Sequence, residues 1–392
     1  MDCNGIFIKI ITLFIVTTFL LSLGNNEVEG RLIISEEEDM ELERQLKILN
    51  KSPVKTIHTE WGEIYDCIDI YKQPAFNHPL LKNHTIQMKP SKELKYSTSE
   101  AQSFDAPMES CPKGTVPIRR TSKEDLIRAK NLSSPESISN DSDEYWAGIE
   151  YSKSGETFSG ASARINLWEP HVIDNQSSSA VISLRSGTDN QYTEIRYGWT
   201  ANRILYGNET GIRYFAYWTA DNGQRTGCFN MMCPGVVQVH PRYPPDNRIS
   251  KTSVYDGVQW KNQIHVFLDV EAEKWWLVRH GNIVIGYWPA ELFPLFGNNG
   301  AERVYWGGHS RDNGDGHGPQ MGSGYFPDKN YHHAAWFKHM KYYDDESLTF
   351  VDPDEKLMER IIGCQRHYDV WYFGIQGERG HTLQFGGPGG KC

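Results

Sequence analysis

The chain has 392 residues, of which 39% are hydrophobic, 23% charged and 12% aromatic, with 35 glycines and a formal net charge of -10. That length accommodates two domains, or one β-rich domain with an appendage. A net negative charge without a cluster of Lys and Arg along the sequence argues against nucleic acid as a partner, and the glycine content points to strands and turns instead of long helices.

The first residues, MDCNGIFIKIITLFIVTTFLLSLG, hold an apolar run from Ile6 to Leu23 broken only by Lys9 and small polar side chains. This is the pattern of a secretory signal, read as residues 1–24, with Gly30 as a second cleavage position. The run is short for a bilayer span, and no later stretch is apolar enough, so no membrane association is expected after cleavage. Next, SEEEDMELERQLKILNKSPVKTI spaces Met40, Leu42, Leu46, Ile48 and Leu49 as one amphipathic helix, acidic at its start, basic at its end and stopped before Pro53. The segment YDCIDIYKQPAFNHPLLKNHTIQMKPS is extended and punctuated by proline, and GTVPIRRTS after Cys111 is strand-like.

From Asn131 to Asp143 the chain turns polar, NLSSPESISNDSD, without apolar anchors. Residues 131–144 are therefore a linker and a natural point of proteolytic processing. Beyond Tyr145, short runs of alternating aromatic and β-branched residues follow one another, such as GASARINLW, SAVISLRS, TEIRYGWT, NQIHVFLDV, KWWLVRH and NIVIGYW, parted by Gly, Asn and Asp. Residues 145–392 are predicted to form one all-β, antiparallel sandwich, with PAELFPLF as its only helix-like piece. Residues 25–130 precede it as a small α+β segment.

Cys3 leaves with the signal, and Cys67, Cys111, Cys228, Cys233, Cys364 and Cys392 remain. An even number in a secreted chain suggests disulfides, and order along the chain favours Cys67 with Cys111, Cys228 with Cys233, and Cys364 with Cys392, although other pairings are open. Sequons at Asn50, Asn83, Asn131, Asn140, Asn175 and Asn208 fit passage through a glycosylating route, to the extracellular space, the cell wall or a vacuole.

Several of these pieces resemble one family. LERQLKILNKSPVKTI, DCIDIYKQPAFNHPLLKNHTIQMKPS and CPKGTVPIRRT are similar to the activation propeptide of the plant neprosin family. GASARINLWEP, YGWTANRILYGNETGIRYFAYWTAD, TGCFNMMCPGVVQV, WWLVRHGNIVIGYWPAELF, WGG, MGSGYFP and the terminal GGPGGKC are similar to its catalytic domain. The resemblance implies a secreted zymogen whose own propeptide covers a β-sandwich with a long cleft. It also implies a glutamic peptidase working in acid, in which two glutamates hold a water and cleave peptides after proline. Two close carboxylates cannot both ionise cheaply, so one serves as base and the other as acid.

In that family one glutamate stands two residues before Gly-Trp and the other directly follows WGG. The matching positions are Arg196, in TEIRYGWT, and His309, in WGGHS. Both carboxylates are thus replaced, and a guanidinium, protonated at every accessible pH, cannot be a base. Glu194, two residues before Arg196 and on the same strand face, is the substitute within reach; as an ordinary strand residue it would simply pair with Arg196. Trp199, Tyr217, Trp306 and Tyr325 are candidates for stacking on substrate proline rings in the cleft. His309, Asp312, Asp315, His317, His332 and His333 are ligand types in one region, but Gly314 and Gly316 fall where calcium ligands should alternate, and no metal or cofactor is expected. GxSxG is absent, so serine-hydrolase chemistry has no support. Three functions stay open: a peptidase with altered chemistry, a pseudoprotease that binds peptides or proline-rich proteins, and a carbohydrate- or wall-binding sandwich.

Overall fold

The computed structural model describes residues 35–92, 105–106, 108–133, 144–207, 210–280, 282–297 and 300–392. The expected signal 1–24, positions 134–143 of the expected linker, the sequons Asn140 and Asn208 and the side chain of Asn131 lie outside what is described. The chain divides into two compact units between Glu43 and Arg44. Residues 35–43 are the described part of the first and begin helix α1 (Glu36–Leu49), whose first turn carries Glu36, Glu37, Glu38 and Asp39 and whose last turn carries Lys47, complementing the helix dipole as the sequence suggests.

The second unit starts with an antiparallel sheet of β1 (Lys55–His58), β2 (Ile64–Asp69) and β3 (Thr115–Arg119), in that order. The extended reading of residues 65–91 holds only to Asp69. After it, three short 3-10 turns follow at Ile70–Lys72, Pro74–Asn77 and Pro79–Leu81. Proline at the start of the second and third turns has its φ already set for a helical turn and no N–H to leave unpaired. Helix α2 (Lys123–Ser133) was not anticipated, and it takes in Asn131, the expected start of the linker. It opens on a capping box: Ser122 N donates to Asp125 Oδ2 at 2.9 Å and Asp125 N to Ser122 Oγ at 3.1 Å.

The body of the fold runs through β4 (Glu144–Ser152), β5 (Gly160–Asn166), β6 (Ser177–Thr188) and β7 (Gln191–Asn202), then a one-turn helix, α3 (Arg203–Tyr206). It continues with β8 (Arg213–Thr219), β9 (Cys228–Phe229), β10 (Val237–Gln238), β11 (Lys261–Asp269), β12 (Lys274–Arg279), β13 (Ile283–Pro289) and β14 (Arg303–Arg311). The last strands are β15 (His317–Gly318), β16 (Ala335–Asp344), β17 (Thr349–Val351), β18 (Met358–Ile362), β19 (Asp369–Ile375), β20 (His381–Gly386) and β21 (Gly390–Lys391). One sheet has the order β18-β4-β14-β6-β7-β8-β9. The other has the order β10-β13-β12-β11-β5-β16-β20-β19, with β17 beside β16. The recorded pairings are antiparallel, so the expected all-β architecture is present. PAELFPLF supplies only a 3-10 turn at Ala290–Leu292.

Alternation along each strand sends one set of side chains between the sheets. Ile182, Leu184, Tyr197, Trp199, Val304 and Trp306 from the first sheet meet Ile264, Val266, Trp275, Leu277, Phe337 and Leu383 from the second, all buried. Trp199 and Trp306, expected in a cleft, belong to this core. Their indole N–H groups donate to Asn166 O at 2.9 Å and Ser162 O at 3.2 Å. Disulfides join Cys67 to Cys111, Cys228 to Cys233 and Cys364 to Cys392, the pairing that chain order favours. Asn83 and Asn175 are exposed, whereas Asn50 engages its amide with the backbone of Thr121, donating at 2.7 Å and accepting at 2.9 Å.

The segment before β4 is fastened to the sandwich by buried polar contacts. Gln73 and Gln238 exchange hydrogen bonds at 2.8 and 3.1 Å. Glu63 pairs with Arg213, both nearly inaccessible. Asp105 faces Arg279 at 3.3 Å and His280 at 3.4 Å.

Candidate active site

The face of the first sheet turned away from the core holds the two positions that the sequence singles out. β6 lies between β7 and β14, and cross-strand register sets Arg196 opposite Ser183, which lies opposite Tyr305, while His309 lies opposite Ser179 on one side and Trp146 on the other. Arg196, Glu194, His309, Trp146 and Tyr305 therefore share one face. Both Arg196 and His309 are 8% exposed.

Arg196 is not free. Its Nη2 is 2.7 Å from Glu194 Oε2, and Ser183 Oγ donates to Glu194 Oε1 at 2.6 Å. Burial raises the Glu194 carboxyl, but the Arg196 charge and its hydrogen bond, with help from Ser183 and Arg185, bring the net position below the ordinary range. Burial disfavours the guanidinium, yet Glu194 and then Glu144 hold its proton still more firmly than usual. The Arg196 guanidinium also lies 4.8 Å from the Trp146 ring centroid and 5.1 Å from that of Tyr217.

His309 is engaged as well. Its Nε2 stands 3.3 Å from Glu144 Oε2, and its ring lies 4.2 Å from that of Trp146. Burial works against the Glu144 carboxylate, but His309, then Arg196 and Arg311, outweigh it and hold that carboxyl far below its ordinary value. Trp146 thus has Arg196 on one neighbouring side and His309 on another, and it meets Tyr305 edge-on at 5.1 Å.

The two glycines before His309 now have a reason. A Cβ on Gly307 would fall 2.5 Å from Gly148 Cα and 2.5 Å from Tyr305 Oη, so only glycine lets the Tyr305 ring fold back here, where its hydroxyl donates to Gly308 O at 2.7 Å. A Cβ on Gly308, on the core side, would meet Met321 Sδ at 2.3 Å.

Of the other candidates, Tyr217 joins this site beside Arg196. Tyr325 does not: it is 52% exposed and packs on Tyr255 at 4.3 Å. Glu144 and Trp146 were not singled out from sequence, because their adjacency to His309 depends on the β4–β14 register. Asp312 accepts from Tyr145 Oη at 2.7 Å, and Asp315 from His317 N at 2.8 Å. Among the described residues, no group of three or more His, Cys, Asp or Glu is placed to hold a metal ion, and no helix is long and apolar enough to cross a membrane.

The antiparallel β body is thus preceded by a small α+β segment. The neprosin activation peptide model matches residues 56–158 and the neprosin model residues 174–388, and the chain belongs to the neprosin family. Among solved structures, scytalido-glutamic peptidase with a peptide-based transition state analog aligns at 12% identity and a TM-score of 0.33, over 62% of this chain and 97% of that chain. SCP-B, a member of the eqolisin family of peptidases in a complex with the tripeptide Ala-Ile-His, aligns at 10% identity and a TM-score of 0.32 over the same shares. The beta-porphyranase BpGH16B from the human gut bacterium Bacteroides plebeius aligns at 7% identity and a TM-score of 0.20, over 69% of this chain and 86% of that chain.

Proposed function

We propose that this protein is a secreted neprosin-family chain that keeps the architecture of a peptidase zymogen but binds peptide without hydrolysing it. The observation that carries this reading is the closed pairing of Arg196 with Glu194 at 2.7 Å, with Trp146 beside both Arg196 and His309. Glutamic-peptidase chemistry requires one protonated and one ionised carboxyl around a water. Glu194 and Glu144 are the carboxylates next to the two substituted positions, and both sit below the usual range. Each therefore holds a proton less readily than an ordinary glutamate, which argues against a substitute dyad built on Glu194.

The ligand in this reading is a proline-containing peptide or a proline-rich protein, held along the face that carries Tyr217, Trp146 and Tyr305 and contacting aromatic rings. Residues 1–24 act as the signal, residues 25–130 as the propeptide, and residues 131–144 as the place where processing separates it from 145–392. The three disulfides support an oxidising compartment such as the extracellular space. Calorimetric titration of the processed protein with a proline-rich peptide tests the reading. Saturable binding with the peptide recovered intact supports it, and absence of binding removes it.

A further inference from the structure

The other sheet carries, on its outer side, a strip that the Arg196 and His309 face does not account for. Register places Trp336, Gln384 and Trp371 in one row across β16, β20 and β19, and Lys338 directly opposite Arg164 on β5. Their neighbours Phe337, Leu383, Val370 and Ile165 are buried in the core, so this row faces the other way. Gln384 fixes the approach of the preceding loop: its Oε1 accepts from Lys329 N at 2.9 Å and its Nε2 donates to Asn330 O at 2.7 Å. Lys329 Nζ then stands 4.1 Å from the centroid of Trp371, a ring that remains 43% exposed.

The strip continues through Tyr331. Lys338 Nζ is 3.9 Å from the Trp336 ring and 4.0 Å from Tyr331, and the Arg379 guanidinium is 4.8 Å from the same Tyr331. Tyr331 lies 5.4 Å from Phe373, and Phe373 lies 6.5 Å from Trp371. Trp371, Phe373 and Tyr331 therefore run side by side, with Lys329 at the Trp371 end and Lys338 and Arg379 at the Tyr331 end, an assembly of residues far apart in sequence.

Like charges set opposite each other in a sheet are unfavourable. Burial, with Arg379, Lys261 and Arg164 nearby, pushes Lys338 down to about 8. Among the described residues, neither Lys338, Lys261 nor Arg379 closes an ion pair with a carboxylate. In a chain of net charge -10, this is a local positive field that an anion would complement.

We propose that the strip binds a carboxylated polysaccharide, with sugar faces lying on Trp371, Phe373 and Tyr331 and carboxylates pairing with Lys329, Lys338 and Arg379. A chain of sugar rings that bear carboxylates matches a row of rings with cations at both ends, whereas an acidic peptide offers carboxylates without flat faces. The three disulfides fit an oxidising compartment outside the cytosol, where nucleic acid is not the expected polyanion.

The test is calorimetric titration of the full-length secreted protein with polygalacturonate. The neutral methyl ester, polyglutamate and single-stranded DNA are titrated in parallel. Binding is expected for polygalacturonate, weakening as salt rises, with no binding of the ester. The exposed pair Lys329→Gln/Arg379→Gln should weaken it about tenfold, while Lys47→Gln/Lys153→Gln, an equal loss of charge elsewhere, should bind as the native chain does. No binding of polygalacturonate, equal loss in both double variants, or tighter binding of polyglutamate or DNA overturns the proposal.

Discussion

Arg196 and Glu194 stand on one face of β7 and close a 2.7 Å ion pair, with Ser183 donating to the free oxygen of the carboxylate at 2.6 Å. A buried pair of this kind contributes little net stability when intact but is costly to break from one side, because the remaining charge has no partner. Glu194→Gln is therefore expected to destabilise the chain by about 3–5 kcal/mol. Glu194→Gln/Arg196→Met should recover most of the loss. Denaturant unfolding checks this; equal stability of Glu194→Gln and the native chain would show that the pair is not closed in solution.

Acid should weaken the same face. Glu144 and Glu194 are held below their ordinary value of 4.5 in the folded chain. A carboxyl depressed on folding adds stability above its unfolded value, and that stability is lost as pH falls through the folded value. The native chain should lose stability from about pH 5 downward, and Glu144→Gln/Glu194→Gln should show a flatter acid limb. Thermal melting across pH measures both slopes, and parallel slopes contradict the assignment.

Gly307→Ala should fold poorly. A Cβ there would fall 2.5 Å from Gly148 Cα and 2.5 Å from the Tyr305 hydroxyl, closer than packed atoms approach. A loss of about 1–3 kcal/mol is expected from the overpacking. Gly62→Ala is no neutral comparison, because its backbone is left-handed at φ 83°, although nothing lies within 4 Å of the added atom.

Cys67 and Cys111 are 44 residues apart. Closing a loop of that length restricts the unfolded chain by up to about 4 kcal/mol in the entropy model. Cys67→Ser/Cys111→Ser should therefore unfold the β1–β3 segment at lower denaturant than the sandwich. Coincident transitions, unchanged from the native chain, would show that the disulfide adds nothing there.

Much of this architecture is legible in the sequence because alternation and turn residues are local signals. The acidic-to-basic gradient of α1, the strand runs after Tyr145 and the order of the six cysteines all carry through to the structure. Helix α2 was within reach, since Ser122 and Asp125 have the spacing of a capping box, but its polar end merges with the linker composition. Trp199 and Trp306 show the limit of alternation: it separates two faces without saying which faces the core. Of the site, the sequence marks only the two positions that the family resemblance singles out, Arg196 and His309. Glu144 and Trp146 reach His309, and Lys338 reaches Arg164, through pairings between strands distant in sequence, which no local pattern encodes.

The most direct measurement is hydrolysis of a proline-containing peptide from acid to neutral pH by the purified chain, beside its Arg196→Glu/His309→Glu variant. The account predicts no cleavage by the native chain at any pH and acid-dependent cleavage by the variant, which places two carboxyls on the face that carries Arg196 and His309. Cleavage by the native chain, abolished by Glu194→Gln, would contradict it and make Glu194 the working carboxylate.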